Sequence, residues 1–265
     1  MSLRDRFHLD GCAAVVTGSG QGIGRGIAVG LAELGCDVVV NARRLEDCTE
    51  TARLVAATGR RAVVVVGDVR TEATMEGLAA ACLEAFDRLD VWVNNVGGSD
   101  DKTLRPLVDT PDDVWRSMLE LNVTTAFRGA KAAAARMVQG GCIVNISSGA
   151  GMRGSPLTGP YAAAKAAMLN LTQTLALELA ERGIRVNAVS PGQVPTEAFR
   201  TTLADDEDRL AELAAATPLG RLGTPEDVAA AVAYLASPAG SWVTGENLLV
   251  AGGRTQRGGG SRRYG

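Results

Sequence analysis

Short apolar, β-branched runs alternate with longer helical stretches along most of this chain. Runs at 13–17, 37–41, 62–66, 91–94, 142–146, 185–189 and 247–250 read as strands. Stretches at about 22–34, 45–58, 72–88, 111–138, 160–182 and 225–236 read as helices. The strand runs are continuously apolar, as expected of parallel strands buried on both faces. Their β-α-β-α order predicts an α/β fold: a seven-stranded parallel sheet, doubly wound, with helices on both faces and right-handed crossovers. No break in composition and no repeat divides the chain, so residues 1–253 are expected to form one domain. The segment 193–222, with its charged run Ala204-Asp-Asp-Glu-Asp-Arg209, reads as a lid. The Gly/Arg-rich end, 254–265, reads as a flexible tail.

Composition narrows the function. A net charge of −3 leaves no basic footprint for nucleic acid, and no run reaches the ~18 apolar residues of a membrane span. The five cysteines are scattered, odd in number and without metal-ligand spacing. With the polar start Met1-Ser-Leu-Arg-Asp-Arg6, they predict a reducing, cytoplasmic setting and no metal. His8 is the single histidine, so histidine triads and multi-histidine metal sites are excluded. Acid–base chemistry falls to Tyr, Lys or carboxylates.

Between the first strand and helix lies Thr17-Gly-Ser-Gly-Gln-Gly-Ile-Gly24. Glycines there let backbone approach a pyrophosphate, and the helix N-terminus offers amide donors. The spacing is T-G-x-x-x-G-x-G, not G-x-G-x-x-G. It predicts a Rossmann-type dinucleotide site built on Gly18, Ser19, Gln21, Gly22, Ile23 and Gly24. The second strand ends Val40-Asn-Ala-Arg-Arg44, with no carboxylate before Glu46. An acid at this place favours NAD; Arg43 and Arg44 instead suit the 2′-phosphate of NADP, so NADPH is expected over NADH. The alternative is that both arginines are solvated loop charges.

Tyr161 and Lys165 stand four residues apart on a predicted helix and share a face. A free phenol keeps its proton to a pH of about 10, and a fixed ammonium beside it is expected to lower that value.

Together these motifs resemble the short-chain dehydrogenase/reductase superfamily, in its short single-domain branch. The resemblance runs over nearly the whole chain. It includes Asp68-Val69, Asn94-Asn-Val-Gly97, Leu121-Asn-Val123, Ile143-Val-Asn-Ile-Ser-Ser148, Pro191-Gly-Gln-Val-Pro-Thr196 and Val243-Thr-Gly-Glu-Asn247. It implies a dinucleotide-binding and catalytic domain that interconverts a ketone and a secondary alcohol. Tyr161 is then the general acid or base, and Ser148, thirteen residues earlier, bonds the substrate oxygen, with Ser147 the weaker candidate. Lys165 holds the nicotinamide ribose, and Asn122 a relay water. For the cofactor, the resemblance implies Asp68 and Val69 at adenine and Asn95 and Gly97 at the adenosine-side turn. Pro191, Gly192, Val194 and Thr196 fall toward the carboxamide end. The chain is most similar to the bacterial 7α-hydroxysteroid dehydrogenase and 3-oxoacyl reductase branch, which leaves the substrate open. It departs from the family at Ala251, where Asp is common, and at Gln21, where many NADP enzymes carry a basic residue.

A ketoacyl thioester, a polyketide-like ketone, a steroid and a sugar all remain open as substrates. Pocket walls are expected from 98–104, 149–160 and 193–217. The resemblance and the alanine-rich helices suggest a homotetramer or homodimer. Competing readings are a catalytically silent dinucleotide-binding regulator, an NAD-dependent hydroxysteroid or sugar alcohol dehydrogenase, and an epimerase or dehydratase.

Overall fold

The computed structural model describes residues 2–99, 104–137, 139–202 and 206–253. The predicted tail, 254–265, lies outside them, as do residues 203–205 of the predicted lid and 100–103 of one predicted pocket wall.

The first half runs β1 (Ala13–Val16), α1 (Gly22–Glu33), β2 (Asp37–Ala42), α2 (Leu45–Ala57), β3 (Ala62–Val66), α3 (Glu72–Phe86) and β4 (Val91–Asn94). The second runs α4 (Asp112–Leu119), α5 (Thr125–Arg136), β5 (Cys142–Ile146), α6 (Gly159–Leu179), β6 (Arg185–Pro191), α7 (Glu197–Thr202), α8 (Glu207–Ala215), α9 (Pro225–Ala236) and β7 (Asn247–Val250). Among the described residues the strands form one parallel sheet of seven, ordered β3-β2-β1-β4-β5-β6-β7. Chain order reverses between β1 and β4, and the crevice at the strands' carboxyl ends is where such sheets bind ligands.

Side chains alternate across the sheet. Ala14 and Val16 of β1 pack into a core with α1, α2 and α9, whereas Ala13 and Val15 pack into a second core with α3, α5 and α6. Both faces are therefore dry, which explains the unbroken apolar strands. Local signals set the helix ends. Thr71 caps α3 by accepting from the Thr74 amide, and α9 opens with a Thr224–Asp227 capping box followed by Pro225.

The single helix expected over 111–138 is interrupted. Residues Glu120–Thr124 form a π turn, marked by the Thr125 amide bonding to Glu120 O five residues back. Met118 O, near this break, accepts instead from the side chain of Asn122. Such a bulge re-aims the residues it carries.

Candidate active site

The glycine turn is held from below. Gly18 has φ +60, and a Cβ there would stand 2.7 Å from Val96 Cγ2, so only glycine fits. Thr17 Oγ accepts from the amides of Asn95 and Val96 at 2.9 and 3.3 Å. The Asn95 side chain donates to Thr17 O and Gly18 O at 2.9 and 3.0 Å. These bonds pin the turn to the end of β4. Helix α1 begins at Gly22 with no side chain capping it, so its N-terminal donors and positive dipole end face the cleft.

A cleft of about 1100 Å³ runs from this turn along the carboxyl ends of the strands to Tyr161. Gly18, Gln21, Gly22, Ile23 and Gly24 line it, together with Arg43, Arg44, Asp68, Val69, Asn95 and Gly97. So do Ser148, Tyr161, Lys165, Pro191, Gly192, Val194 and Thr196. A glycine cradle, an uncapped helix end and a long cleft suit a nicotinamide dinucleotide. Ser19 does not line it. Its side chain turns inward, donating to Val16 O at 2.8 Å and accepting from the Asn41 amide at 3.0 Å, so it ties β1 to β2. Gly20 and Asn41 border the cleft without having been expected there.

The two arginines after β2 differ. Arg44 binds the Asp47 carboxylate through two nitrogens, both at 2.8 Å, and that carboxylate raises the guanidinium pKa. Arg43 lines the cleft, where its charge helps lower the Asp68 pKa. Asp68 is held by Arg70, with 2.7 Å between NH2 and Oδ2. That pairing keeps its carboxyl below the usual range.

At the far end, β5 delivers two serines to opposite sides of the chain, as strand alternation requires. Ser147 is buried and donates to Lys165 O at 3.0 Å, bracing β5 against α6. Ser148 lines the cleft, as Tyr161 does, and its hydroxyl accepts from the Ala150 amide at 3.1 Å. Lys165 is 2% exposed; its ammonium donates to Ile146 O at 2.8 Å and lies 5.8 Å from the centre of the Tyr161 ring. Burial pulls the Lys165 pKa from 10.5 down to about 7. Burial also pushes Tyr161 above its ordinary value of 10, opposed by the Ser148 hydroxyl. The expected ammonium-driven lowering is thus reversed, because desolvation is the leading influence on both groups.

Asn122 stands behind the cleft wall, fully buried. It accepts from the Gly98 amide at 2.9 Å and donates to Gly98 O at 2.8 Å and Met118 O at 3.0 Å. Gly97 is the point where these parts meet. A Cβ there would lie 2.6 Å from Lys165 Nζ and 2.8 Å from Asn122 Oδ1.

A buried polar chain sets the spacing of the elements that carry the site. Trp92 Nε1 donates to Asn94 Oδ1 at 2.7 Å, and Asn94 donates to Ala126 O and to Asn145 Oδ1. Asn145 donates to Thr172, which in turn donates to Met168 O. It joins β4, β5, α5 and α6 in one network. Among the described residues no group of three His, Cys, Asp or Glu side chains is placed to hold a metal ion.

The sequence pattern of the family described as enoyl-(acyl carrier protein) reductase matches residues 18–255. The chain belongs to the short-chain dehydrogenase/reductase superfamily. An L-rhamnose 1-dehydrogenase (NAD(P)(+)) of Sphingomonas sp. strain SKA58 is 38% identical over 92% of this chain and 96% of its own. The solved structure of a 7α-hydroxysteroid dehydrogenase, complexed with NADH and 7-oxo glycochenodeoxycholic acid, is 34% identical. It aligns with TM-score 0.88 over 96% of this chain and 98% of that one. The RhlG/NADP active-site complex of Pseudomonas aeruginosa is 34% identical, with TM-score 0.86 over 95% and 99%. This short-chain dehydrogenase/reductase is accordingly an NAD(P)-dependent oxidoreductase. Its family motifs are legible in the residues quoted from sequence; Gly20, Asn41 and Asn145 carried no separate signal, being one glycine and two asparagines within longer runs. Ala251 sits against Gly192, where a Cβ would come within 2.8 Å of it, so the small residue matches the tight approach of β7 to β6.

Proposed function

We propose that this protein interconverts a ketone and a secondary alcohol with NADP(H), working as a reductase, with Tyr161 as general acid and base. The observation that carries the reading is that Ser148, Tyr161 and the buried Lys165 amine line the same end of the cleft, the amine 5.8 Å from the centre of the Tyr161 ring. When bound, the dinucleotide supplies or accepts the hydride at carbon. Ser148 orients the substrate oxygen, and Tyr161 holds the proton that this oxygen takes up in reduction. A phenol whose pKa lies above 10 is protonated at neutral pH, the state reduction needs. Lys165, with a pKa near 7, is poised to take and release the proton that resets Tyr161, and also to bond the ribose. Asn122 holds Gly98 and the π turn in place against this pair and is assigned the relay water.

The preference for NADP rests on Arg43, which lines the cleft, while the nearby carboxylates of Asp68 and Asp47 are paired with Arg70 and Arg44. A 2′-phosphate meets a cation there and no uncompensated acid. Exposed Trp115, Phe127 and Leu177 on α4, α5 and α6 support a homotetramer or homodimer. The five unpaired cysteines support the cytoplasm, and among the described residues no helix is long and apolar enough to cross a membrane.

Tyr161→Phe tests the assignment. It is expected to lower kcat at least a thousandfold while NADPH still binds, read by fluorescence titration. Turnover within tenfold of the parent refutes the acid–base role.

A further inference from the structure

One residue at the cleft's mouth holds an unusual backbone. Leu157 has φ +67, in the left-handed region that a bulky side chain rarely enters. Among the described residues Asp87 is the other non-glycine with positive φ, and it ends α3, where Asp is tolerated. Leu157 has no such excuse. It is the third residue of the turn Ser155-Pro-Leu-Thr158, closed by the Thr158 amide to Ser155 O at 3.3 Å and by a 2.7 Å bond between the two hydroxyls. With proline second, this turn takes glycine or asparagine third. A leucine there is strained, and strain that persists calls for a use.

Packing does not supply one. Leu157 precedes the first residue of α6 by two positions, where an apolar side chain often staples a helix start. Yet it is 47% exposed and borders the cleft. Its carbonyl accepts from the Arg105 amide at 3.3 Å, which ties the segment after β5 to the segment after β4. From that second segment Leu104, also exposed, borders the same mouth. Val114, Met118, Leu121 and Phe199 add apolar lining to the cleft, among the polar Ser99, Arg105 and Thr110. The Thr110 hydroxyl is buried without a hydrogen-bond partner among the described residues. Thr158, the polar neighbour, has its hydroxyl engaged by Ser155.

We infer that Leu157 is a specificity residue that meets a bulky apolar part of the substrate, and that the carbonyl compound this enzyme takes carries an extended hydrocarbon portion. At the mouth the exposed Leu104 and Leu157 offer apolar surface, against which a hydrocarbon is favoured over a hydroxyl that finds no partner in those side chains. A hydrocarbon ring system covers Leu104 and Leu157, and the area removed from water there favours binding. The inference rests on the oxidoreductase reading above and names its substrate class.

The test uses the purified full chain with NADPH and three ketones: 2-decalone, cyclohexanone and fructose, following absorbance. For the parent, kcat/KM is expected to be at least tenfold higher for 2-decalone than for cyclohexanone, with fructose below both. Leu157→Asn, which accepts the left-handed backbone, is expected to cut the decalone-to-cyclohexanone ratio about tenfold, mainly through KM for decalone. It is also expected to raise the thermal midpoint by about 1–4 °C through relief of strain. Leu157→Met, apolar but still strained, keeps the ratio within about twofold and gains no stability. A parent that prefers fructose overturns the inference, as does a ratio unmoved in Leu157→Asn; both leave the oxidoreductase reading standing. Absence of turnover for all three ketones and their alcohols, with either cofactor, overturns that reading and this inference with it.

Discussion

Lys165→Met tests how much free energy the site stores. The Lys165 amine is almost fully buried, and burial lowers its pKa from 10.5 to about 7. At 1.36 kcal/mol for each pKa unit, the charged amine costs the native state roughly 5 kcal/mol at and below pH 7. Methionine has similar length and no charge, so it removes that cost. It also forfeits the hydrogen bond to Ile146 O, worth about 1.5–3 kcal/mol with a charged donor. The variant is therefore expected to be about 2–3 kcal/mol more stable at pH 6, while its turnover falls to background. The pH dependence follows from the depressed pKa. Between pH 7 and 10.5 the unfolded chain binds a proton at this lysine that the native chain does not. Parent stability therefore rises with pH across that window, by about 1.4 kcal/mol per unit, and the gain is lost as pH falls from 10.5 to 7, below which the cost is constant. The variant lacks this contribution, so its advantage shrinks by roughly 2–3 kcal/mol between pH 6 and pH 9. Urea unfolding of both proteins without cofactor at pH 6, 7.5 and 9, followed by tryptophan fluorescence, measures this. A variant no more stable than the parent at pH 6, or a gap that ignores pH, refutes the reasoning.

Gly97→Ala drives a methyl group against Lys165 Nζ and Asn122 Oδ1 and is expected to lower kcat/KM about a hundredfold or more. Steady-state kinetics near the parent's values would show that the close approach is dispensable. Ser148→Ala removes the hydroxyl that lowers the Tyr161 pKa, so the alkaline rise of alcohol oxidation, which needs the phenolate, moves to higher pH. Ser147→Ala leaves that pH profile in place and costs about 1–2 kcal/mol of stability, because its bond is to Lys165 O; a shifted profile in this second variant contradicts the division of roles. Arg43→Ala is expected to raise KM for NADPH about tenfold with little effect on NADH, and equal affinity of the parent for both cofactors sinks the preference.

The strands, the glycine turn and the Tyr161–Lys165 pair are all readable in sequence because each depends on neighbours close along the chain. A buried parallel strand needs an apolar run, and a helix brings residues four apart onto one face. Helix ends followed the same rule: α9 begins and ends at the predicted residues, as its capping box and Pro225 dictate. The break at Glu120–Thr124 had no local signal. Asn122 bonds Gly98 and Met118 O, and the first of these lies 24 residues away, so the π turn exists only where that contact is made.

Sequence by itself determined the fold class, the order of its elements, and which residue types the site contains. Tertiary structure decided what each of them faces. It turned Ser19 into the interior and Ser148 toward Tyr161, paired Arg44 with Asp47 while leaving Arg43 in the cleft, and set Leu157 in a left-handed turn at the mouth. It also decided the sign of the Tyr161 shift. Charge attraction between Tyr161 and Lys165 is written in their spacing, but desolvation depends on every element packed around them, and here desolvation is the larger effect.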